Sequence, residues 1–444
     1  MKRLVKRTTS LLSRLLISTC ILTLLTSCAS DVEPSPAESS ASQPPNILLI
    51  IADDFGLDAS PCHAVGAEKP NMPNLEALCN TGVVFDNVWA TPACSSTRAA
   101  ILTGQYGFRT GVLAAGDTLQ DTESIWDILA NDVPIPYSNA VIGKWHVGGE
   151  NPDPNHPALF GVGHYAGFPS HSLKDYYAWT ITEDGVTSQV NEYATTVFTD
   201  KAIDWIGQQR QPWFLWLAYN APHIPYHVPP ENLHSQQGLT GTPRDIKNNT
   251  RKYYFAAAEA MDAEMGRLLN SMTPETRANT VVIFIGDNGT PGGVSQSPVD
   301  PARAKFTVYE GGVRVPMIVA GYGVTRENQR EDALVNITDL FVTIAQLAGD
   351  ANAVQQDGVS LMDALTDPSF AGRSYAYTEF RHDDSVTVWT VRNAQYKLIE
   401  YSDGRRELFD LIADPFENNN LIASNISDEL KAVIEELENY REGL

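Results

Sequence analysis

Long apolar runs that stop abruptly at charged or amide pairs set the pattern of this chain. Asn46-Ile-Leu-Leu-Ile-Ile-Ala52 is uninterrupted and rich in β-branched residues, as expected of a strand buried on both faces, and it ends in Asp53-Asp54-Phe55-Gly56. Similar runs occupy residues 140–142, 213–219, 281–285 and 315–320. Between them, apolar positions return at helical spacing over 72–79, 123–129, 192–208, 253–270 and 337–348. Strands alternating with helices predict an α/β sandwich whose large, mixed but mainly parallel central sheet is flanked by helices. From about residue 366 the pattern shifts to short alternating segments at 374–380, 387–392 and 396–401, then a helical stretch at 428–440. This predicts a small C-terminal antiparallel sheet with one helix. The expected organisation is a principal domain over 46–365 and a subdomain over 366–444.

The first 45 residues do not fit either domain. Basic residues precede a short apolar run at 15–25 that ends in Leu25-Thr26-Ser27-Cys28, and Ser, Pro, Ala and Glu dominate 29–45. Residues 1–27 read as an export signal, Cys28 as the lipidated first residue of a lipobox-like motif, and 28–45 as a flexible tether. The expected location is the bacterial cell envelope, with the membrane reached through the lipid anchor alone. The chain carries a formal charge of −23, or −28 once a leader with five bases (Lys2, Arg3, Lys6, Arg7, Arg14) and no acids is removed. Such a surface excludes nucleic acid as a partner and obliges any anionic substrate to find a locally basic pocket.

Two oxygen-rich pairs fall directly after apolar strands, Asp53-Asp54 and Asp287-Asn288. Alone, each reads as a turn or a helix cap. Together, at the carboxyl ends of strands where open α/β sheets bind ligands, they form a hard oxygen set suited to Ca2+ or Mg2+. Cysteine usage leaves Cys62, Cys79 and Cys94 in the folded part. Cys62 and Cys79 pair as a disulfide in an oxidising compartment, or Cys79 is a buried thiol on the helix near 74–80.

The segment Cys94-Ser95-Ser96-Thr97-Arg98-Ala99-Ala100-Ile101-Leu102-Thr103-Gly104 resembles the signature of the formylglycine-dependent sulfatases, within the alkaline phosphatase superfamily. Further motifs resemble that family in its order: Ala52-Asp53-Asp54; Gly143-Lys144-Trp145-His146-Val147-Gly148; Ala221-Pro222-His223-Ile224-Pro225; Gly286-Asp287-Asn288-Gly289; and Lys305 ahead of Tyr309-Glu310-Gly311-Gly312-Val313-Arg314. Near the end, Arg392, Tyr396-Lys397-Leu398 and Glu407-Leu408-Phe409-Asp410-Leu411 resemble its C-terminal sheet. The resemblance implies an alkaline-phosphatase-like fold and hydrolysis of sulfate esters, with carbohydrates as the expected substrates. It implies a formylglycine made from Cys94 by a formylglycine-generating enzyme and held with calcium by Asp53, Asp54, Asp287 and Asn288. Lys144, His223 and Lys305 are then expected around the sulfate oxygens, with Arg98 and His146 on the hydrated aldehyde. Asp287 serves as base as well as ligand, and His223, helped by Lys305, protonates the departing alcohol. Glu310 and Arg314 are expected to form a structural pair and Trp145 to pack. His164, His171, Tyr176, Tyr177 and Trp179 form an aromatic-rich insert that either binds a sugar ring or fills a loop.

One departure stands out. The family usually has Pro or Ala two residues after the converted Cys, where this chain has Ser96, and Thr97 replaces the common Ser. Proline biases that segment toward the extended form the converting enzyme reads, a bias Ser96 lacks. Two rival readings follow: a phosphatase or phosphodiester hydrolase of the same fold, and an unconverted, calcium-dependent binder of sulfated glycans.

Overall fold

The computed structural model describes residues 44–354, 356–382, 385–422 and 426–444. The leader, Cys28 and the tether up to residue 43 lie outside the described residues. Ten strands form the main sheet: β1 (Asn46–Ala52), β2 (Gly82–Trp89), β3 (Ser138–Lys144), β4 (Tyr165–Phe168), β5 (Trp179–Glu183), β6 (Val186–Val190), β7 (Trp213–Tyr219), β8 (Thr280–Gly286), β9 (Arg314–Gly321) and β10 (Gln329–Asn336). Their order is β10-β2-β9-β8-β1-β7-β3-β4-β5-β6. The central run β8-β1-β7-β3 is parallel throughout, so all four carboxyl ends open on one edge. β9 is antiparallel to both its neighbours, and β5 antiparallel to β4 and β6, which makes the sheet mixed as expected.

β1 shows why its sequence is a continuous apolar run. Ile47, Leu49 and Ile51 enter the core on one face of the sheet, while Leu48, Ile50 and Ala52 enter the core on the other. Both faces are covered, so no polar residue is tolerated until the strand ends. On one side lie the helices Cys94–Thr103, Ile125–Asn131 and Asp339–Leu347. On the other lie Pro73–Thr81, Ala194–Gln208 and Thr250–Ser271.

The second sheet is β11 (Ala376–Arg381), β12 (Thr387–Arg392), β13 (Tyr396–Tyr401) and β14 (Arg406–Asp410), antiparallel throughout, with the closing helix Asp428–Glu442 packed on β12 and β13. Its joint with the main sheet is ionic. Lys397, wholly buried, lies 3.1 Å from Glu310 and 2.7 Å from Glu417, with its ammonium 4.7 Å from the Trp89 ring. Burial pushes the Glu417 carboxyl up to about 7 against the pull of Lys397. Burial also opposes the charge on Glu310, yet Lys397 and Arg392 hold its carboxyl below the usual range. The expected Glu310–Arg314 pair is therefore corrected. Glu310 binds Lys397 and Arg392, and Arg314 Nε donates to the carbonyl of Asp86 at 2.7 Å, because β9 turns Arg314 away toward β2.

Cys62 and Cys79 form a disulfide, which resolves the two readings of Cys79. Trp145 packs as expected: it is buried against Trp126, with its indole N–H on His156 Nδ1 at 2.9 Å.

Candidate active site

Each of the four central parallel strands delivers polar groups to the same edge. β1 runs into Asp53 and Asp54, and β8 into Asp287 and Asn288. β3 ends on Lys144, and the turn after β7 carries His223. The ladder continues past the strand ends: Asp53 N–H donates to Ala221 O at 3.2 Å and Asp287 N–H to Ala52 O at 3.1 Å, so these residues are fixed by backbone as well as by side chain. At Gly143 a Cβ would land 2.0 Å from the Ala218 carbonyl, and φ is +102°; only glycine allows β3 to turn Lys144 inward here.

The helix Cys94–Thr103, buried along its whole length, supplies two more groups. Cys94 opens it, and Arg98, four residues on, lies on the same face. Lys305 comes from the loop before β9, its N–H donating to Thr290 O at 3.2 Å.

These groups interlock. Asp53, Asp54, Cys94 and Asp287 are all buried, with one ligand atom of each within 4.8 Å of the others. Lys144 Nζ lies 2.5 Å from Asp53 Oδ2, Arg98 Nη2 lies 2.8 Å from Asp287 Oδ2, and Lys305 Nζ pairs with Asp54 Oδ1. Arg98 Nη1 also donates to Lys144 O at 2.7 Å. His223 Nε2 is 3.8 Å from Asp54 Oδ2, and its Nδ1 is 2.8 Å from Ile224 O. The Cys94 thiol donates to Asp53 Oδ1 at 3.1 Å, with Lys305 Nζ 3.6 Å from its sulfur. Asn288 Nδ2 donates to Asp54 Oδ1 at 2.9 Å, whereas Asn288 Oδ1 is buried without a donor. Both ring nitrogens of buried His146 also lack partners among the described residues. All the candidate residues in the described part therefore meet in one place.

Burial and charge set their proton affinities. Asp53 resists ionisation through burial, but Lys144, His223, Arg98 and Lys305 together hold its carboxyl well below the usual range. Burial and then Asp53 push Asp287 up to about 6, against Arg98 and Lys144. Burial, Asp287 and Asp53 raise the Cys94 thiol well above its usual value, so it stays protonated. Burial, Lys144 and Arg98 depress His146, and burial depresses His223 against the pull of Asp53 and Asp54. Burial works against the charge of Lys305, but Asp54 and Cys94 raise its pKa above the usual value.

The chemistry of the donors fits a hard divalent cation. Three carboxylate side chains gather with Cys94, their ligand atoms within 4.8 Å of one another, and Asn288 lies against Asp54, a donor set better suited to a hard cation such as Ca2+ or Mg2+ than to a thiolate-loving metal. The three carboxylates are matched by three cations, Arg98, Lys144 and Lys305. A divalent ion makes the pocket positive by two, a charge that an anionic ester offsets.

Sequence reasoning missed several supports. Tyr254 Oη donates to Asp54 O at 2.8 Å, and Thr290 Oγ1 bridges Gly56 N–H at 3.1 Å to Asp58 Oδ1 at 2.5 Å. Of the aromatic insert, Tyr176 is buried, its hydroxyl 2.9 Å from Asn220 O and 2.7 Å from His223 O, so it braces the His223 turn. Trp179 packs on Phe198, His164 pairs with Asp184 at 3.0 Å, and Tyr177 donates to Val228 O at 2.8 Å. His171 also stands beside the site, 6.2 Å from the His146 ring.

Fold and site together define a hydrolase of anionic tetrahedral esters built on an alkaline-phosphatase-like sandwich. The narrower assignment comes from comparison. The sulfatase family model matches residues 45–350, and the model of the N-sulphoglucosamine sulphohydrolase C-terminal region matches 303–442. The chain belongs to the sulfatase family and is a sulfuric ester hydrolase. It is 25% identical to the N-acetylgalactosamine-6-O-sulfatase of Bacteroides thetaiotaomicron, in an alignment that covers 92% of this chain and 95% of that one. It is 28% identical to the N-acetylgalactosamine-6-sulfatase of Homo sapiens over 76% of this chain and 69% of that one. Among solved structures, Ps i-CgsB in complex with k-i-k-neocarrahexaose superposes with a TM-score of 0.76 at 24% identity, covering 90% and 92% of the two chains, which shows a shared fold.

Proposed function

We propose that this sulfatase releases sulfate from sulfated carbohydrates, using a formylglycine made from Cys94 beside a calcium ion held by Asp53, Asp54, Asp287 and Asn288. The observation that carries the proposal is the convergence of three carboxylates on the first residue of a buried helix, with Asn288 hydrogen-bonded to one of them. As encoded, Cys94 is a protonated, enclosed thiol and a poor nucleophile, which favours conversion over direct use of sulfur. A formylglycine at position 94 would supply the attacking hydroxyl as its hydrate, and a divalent cation held by Asp53, Asp54, Asp287 and Asn288 would acidify that hydroxyl. Lys144, Lys305 and His223 bind the sulfate oxygens and stabilise charge as it develops, turning from the carboxylates they face. His223 gives the leaving alcohol its proton, its imidazolium favoured by Asp53, Asp54 and the incoming anion against the opposing charges of Lys144 and Lys305. His146, whose nitrogens have no competing partner, accepts a proton as the nucleophile is regenerated, and Asp287 is the base for the attacking hydroxyl.

Carbohydrate as the substrate class rests on the names of the relatives, which act on N-acetylgalactosamine 6-sulfate, and on the sugar complex of a fold neighbour. The exported, lipid-anchored state at Cys28 and a bacterial envelope location remain part of the same proposal, carried by the N-terminal sequence.

The test combines mass and turnover. Peptide mass spectrometry of Cys94 in protein co-expressed with a formylglycine-generating enzyme is expected to show loss of sulfur. Sulfate release is then measured on a panel of N-acetylgalactosamine 6-sulfate, glucosamine 6-sulfate, a sulfated neocarrabiose and 4-nitrophenyl sulfate, alongside 4-nitrophenyl phosphate. Activity abolished by chelation and restored by Ca2+ supports the reading. Faster phosphate turnover would establish the phosphatase rival, and calcium-dependent sugar binding by wholly unconverted protein would establish the binder.

A further inference from the structure

Phe306 follows Lys305 directly and is the one apolar residue among the described non-glycine residues with positive φ. The others are Asp54, His146, Asp184, Asn328, Gln356 and Glu417, all polar, and Asp54 and His146 belong to the site. At φ +68° a bulky L-residue meets its own carbonyl, and glycine is the default occupant. The conformation is imposed from both sides: Lys305 N–H is bound to Thr290 O at 3.2 Å, and Phe306 N–H to Pro92 O at 3.0 Å, two residues ahead of Cys94. The backbone here ties the Asp287 loop to the nucleophile helix, and its shape is fixed whatever side chain it carries. A phenyl group is nonetheless present.

That phenyl group does little for the core. Phe306 is 44% exposed, lies 4.7 Å from Lys305 Nζ on one side, and reaches Phe380 of β11 at 6.3 Å between ring centroids, tilted by 31°. A second residue directly after a site side chain is also apolar and exposed. Ile224, directly after His223, is 48% exposed. Lys305 and His223 both reach the Asp54 carboxylate, so each of these exposed apolar residues directly follows a side chain of the site.

We infer that Phe306 is a specificity-determining residue of this sulfatase, a platform on which the sugar ring carrying the sulfate, or the ring next to it, lays its C–H face. The inference rests on the proposed carbohydrate substrate. A sulfate pocket that only gripped charge would leave the ring to solvent. An aromatic face beside the anchoring lysine adds apolar contact that a pyranose ring provides and inorganic sulfate does not. Because the contact is made equally in the bound substrate and in the transition state, its loss raises KM and leaves kcat.

The experiment uses the full, converted chain with Ca2+ and three readouts: steady-state kinetics and calorimetric binding on the panel saccharide that the wild type handles best, the inhibition constant of inorganic sulfate, and the melting temperature. Phe306→Gly is expected to raise KM, or Kd, for the saccharide about five- to tenfold. Its kcat and sulfate inhibition constant are expected to match wild type, and its melting temperature to hold or rise as the backbone is relieved. Phe306→Trp is expected to restore the saccharide KM. An unchanged KM in Phe306→Gly, or a sulfate inhibition constant that rises in step with KM, would overturn the inference; the second would mean that Phe306 only seats Lys305. A wild type that binds the saccharide without releasing sulfate defeats the hydrolytic reading alone, and Kd then judges Phe306. A wild type that neither binds nor cleaves any saccharide defeats both.

Discussion

Ser96 sits in the first turn of the helix that Cys94 opens, its hydroxyl on Ala93 O at 3.0 Å and beside Thr91 Oγ1. The first backbone bond of that helix is made by Thr97 N–H, to Ala93 O at 3.2 Å, so a proline at 96 removes no helical hydrogen bond. Ser96→Pro is therefore expected to fold normally while biasing the unfolded segment toward an extended form. Peptide mass spectrometry should show a larger converted fraction at Cys94, and an equal or smaller fraction would mean that position 96 does not limit conversion. Lys305, buried on Asp54 and 3.6 Å from the Cys94 sulfur, carries a different expectation. Lys305→Ala should lower kcat/KM for the preferred sulfate ester by about a hundredfold while Cys94 remains converted, as expected when a fixed charge facing the transition state is lost. At this scale the sequence was most legible, because Asp53, Cys94, Lys144, His223 and Asp287 each sit in a local motif that states its own chemistry. Their helpers were not legible. Tyr254 acts through a hydroxyl contact with a backbone carbonyl from far along the chain and nothing local marks it, while Tyr176 was visible only as part of the aromatic insert and not as a brace for the His223 turn.

Among the elements, strands buried on both faces were readable because a continuous apolar run has no other use at that length, as β1 and β7 show. β10 and β6 were not. Gln329-Arg-Glu-Asp and Val186-Thr-Ser-Gln carry polar side chains because these strands lie at the two edges of the sheet, where burial is incomplete. The helix Cys94–Thr103 was hidden for the opposite reason: it is enclosed on every side, so it shows no amphipathic period. The joint between the sheets depends on Lys397. Lys397→Met strands the buried Glu417 carboxylate and leaves Glu310 with Arg392 alone, and a loss of about 3–5 kcal/mol is expected in urea unfolding. A second element-level expectation concerns the turn after His223. His227 stacks on Tyr176 with centroids 3.9 Å apart, its Nδ1 2.9 Å from Pro225 O and its Nε2 3.1 Å from the Tyr193 hydroxyl. That pairing suits a neutral ring that donates to the carbonyl and accepts from the tyrosine, and burial depresses the imidazole to about 4. The unfolded chain, titrating near 6.5, binds the proton more readily, so this contribution is present above pH 6.5 and is lost as pH falls toward 4, by about 2–3 kcal/mol. The melting temperature should fall across that window, and His227→Gln should flatten the slope.

Over the whole molecule the charge of −23 opposes the chemistry of the pocket, which is positive only once a divalent ion is bound. Long sulfated polymers feel the surface before they reach the site, whereas a short oligosaccharide feels mainly the pocket. Raising ionic strength from about 0.01 M to 0.15 M, which shortens the screening length from about 30 Å to 8 Å, should increase sulfate release from polymer relative to oligomer. A ratio that does not move with salt would count against this repulsion. The disulfide between Cys62 and Cys79 and the parallel order of the central strands were only partly visible in sequence, since both depend on which segments become neighbours.

The enclosure of Cys94 also has a consequence in time. In the folded chain this residue is 2% exposed at the head of a helix walled in by the sheet, so no modifying enzyme reaches it there. On the proposed chemistry, activation is a race that each nascent chain runs once, between modification of an open segment and closure of a core whose strands pair across more than two hundred residues. A chain that loses the race is not damaged and has no strain to betray it. It folds, melts and migrates like its active sister, so a preparation's specific activity records the history of its synthesis rather than the quality of its fold.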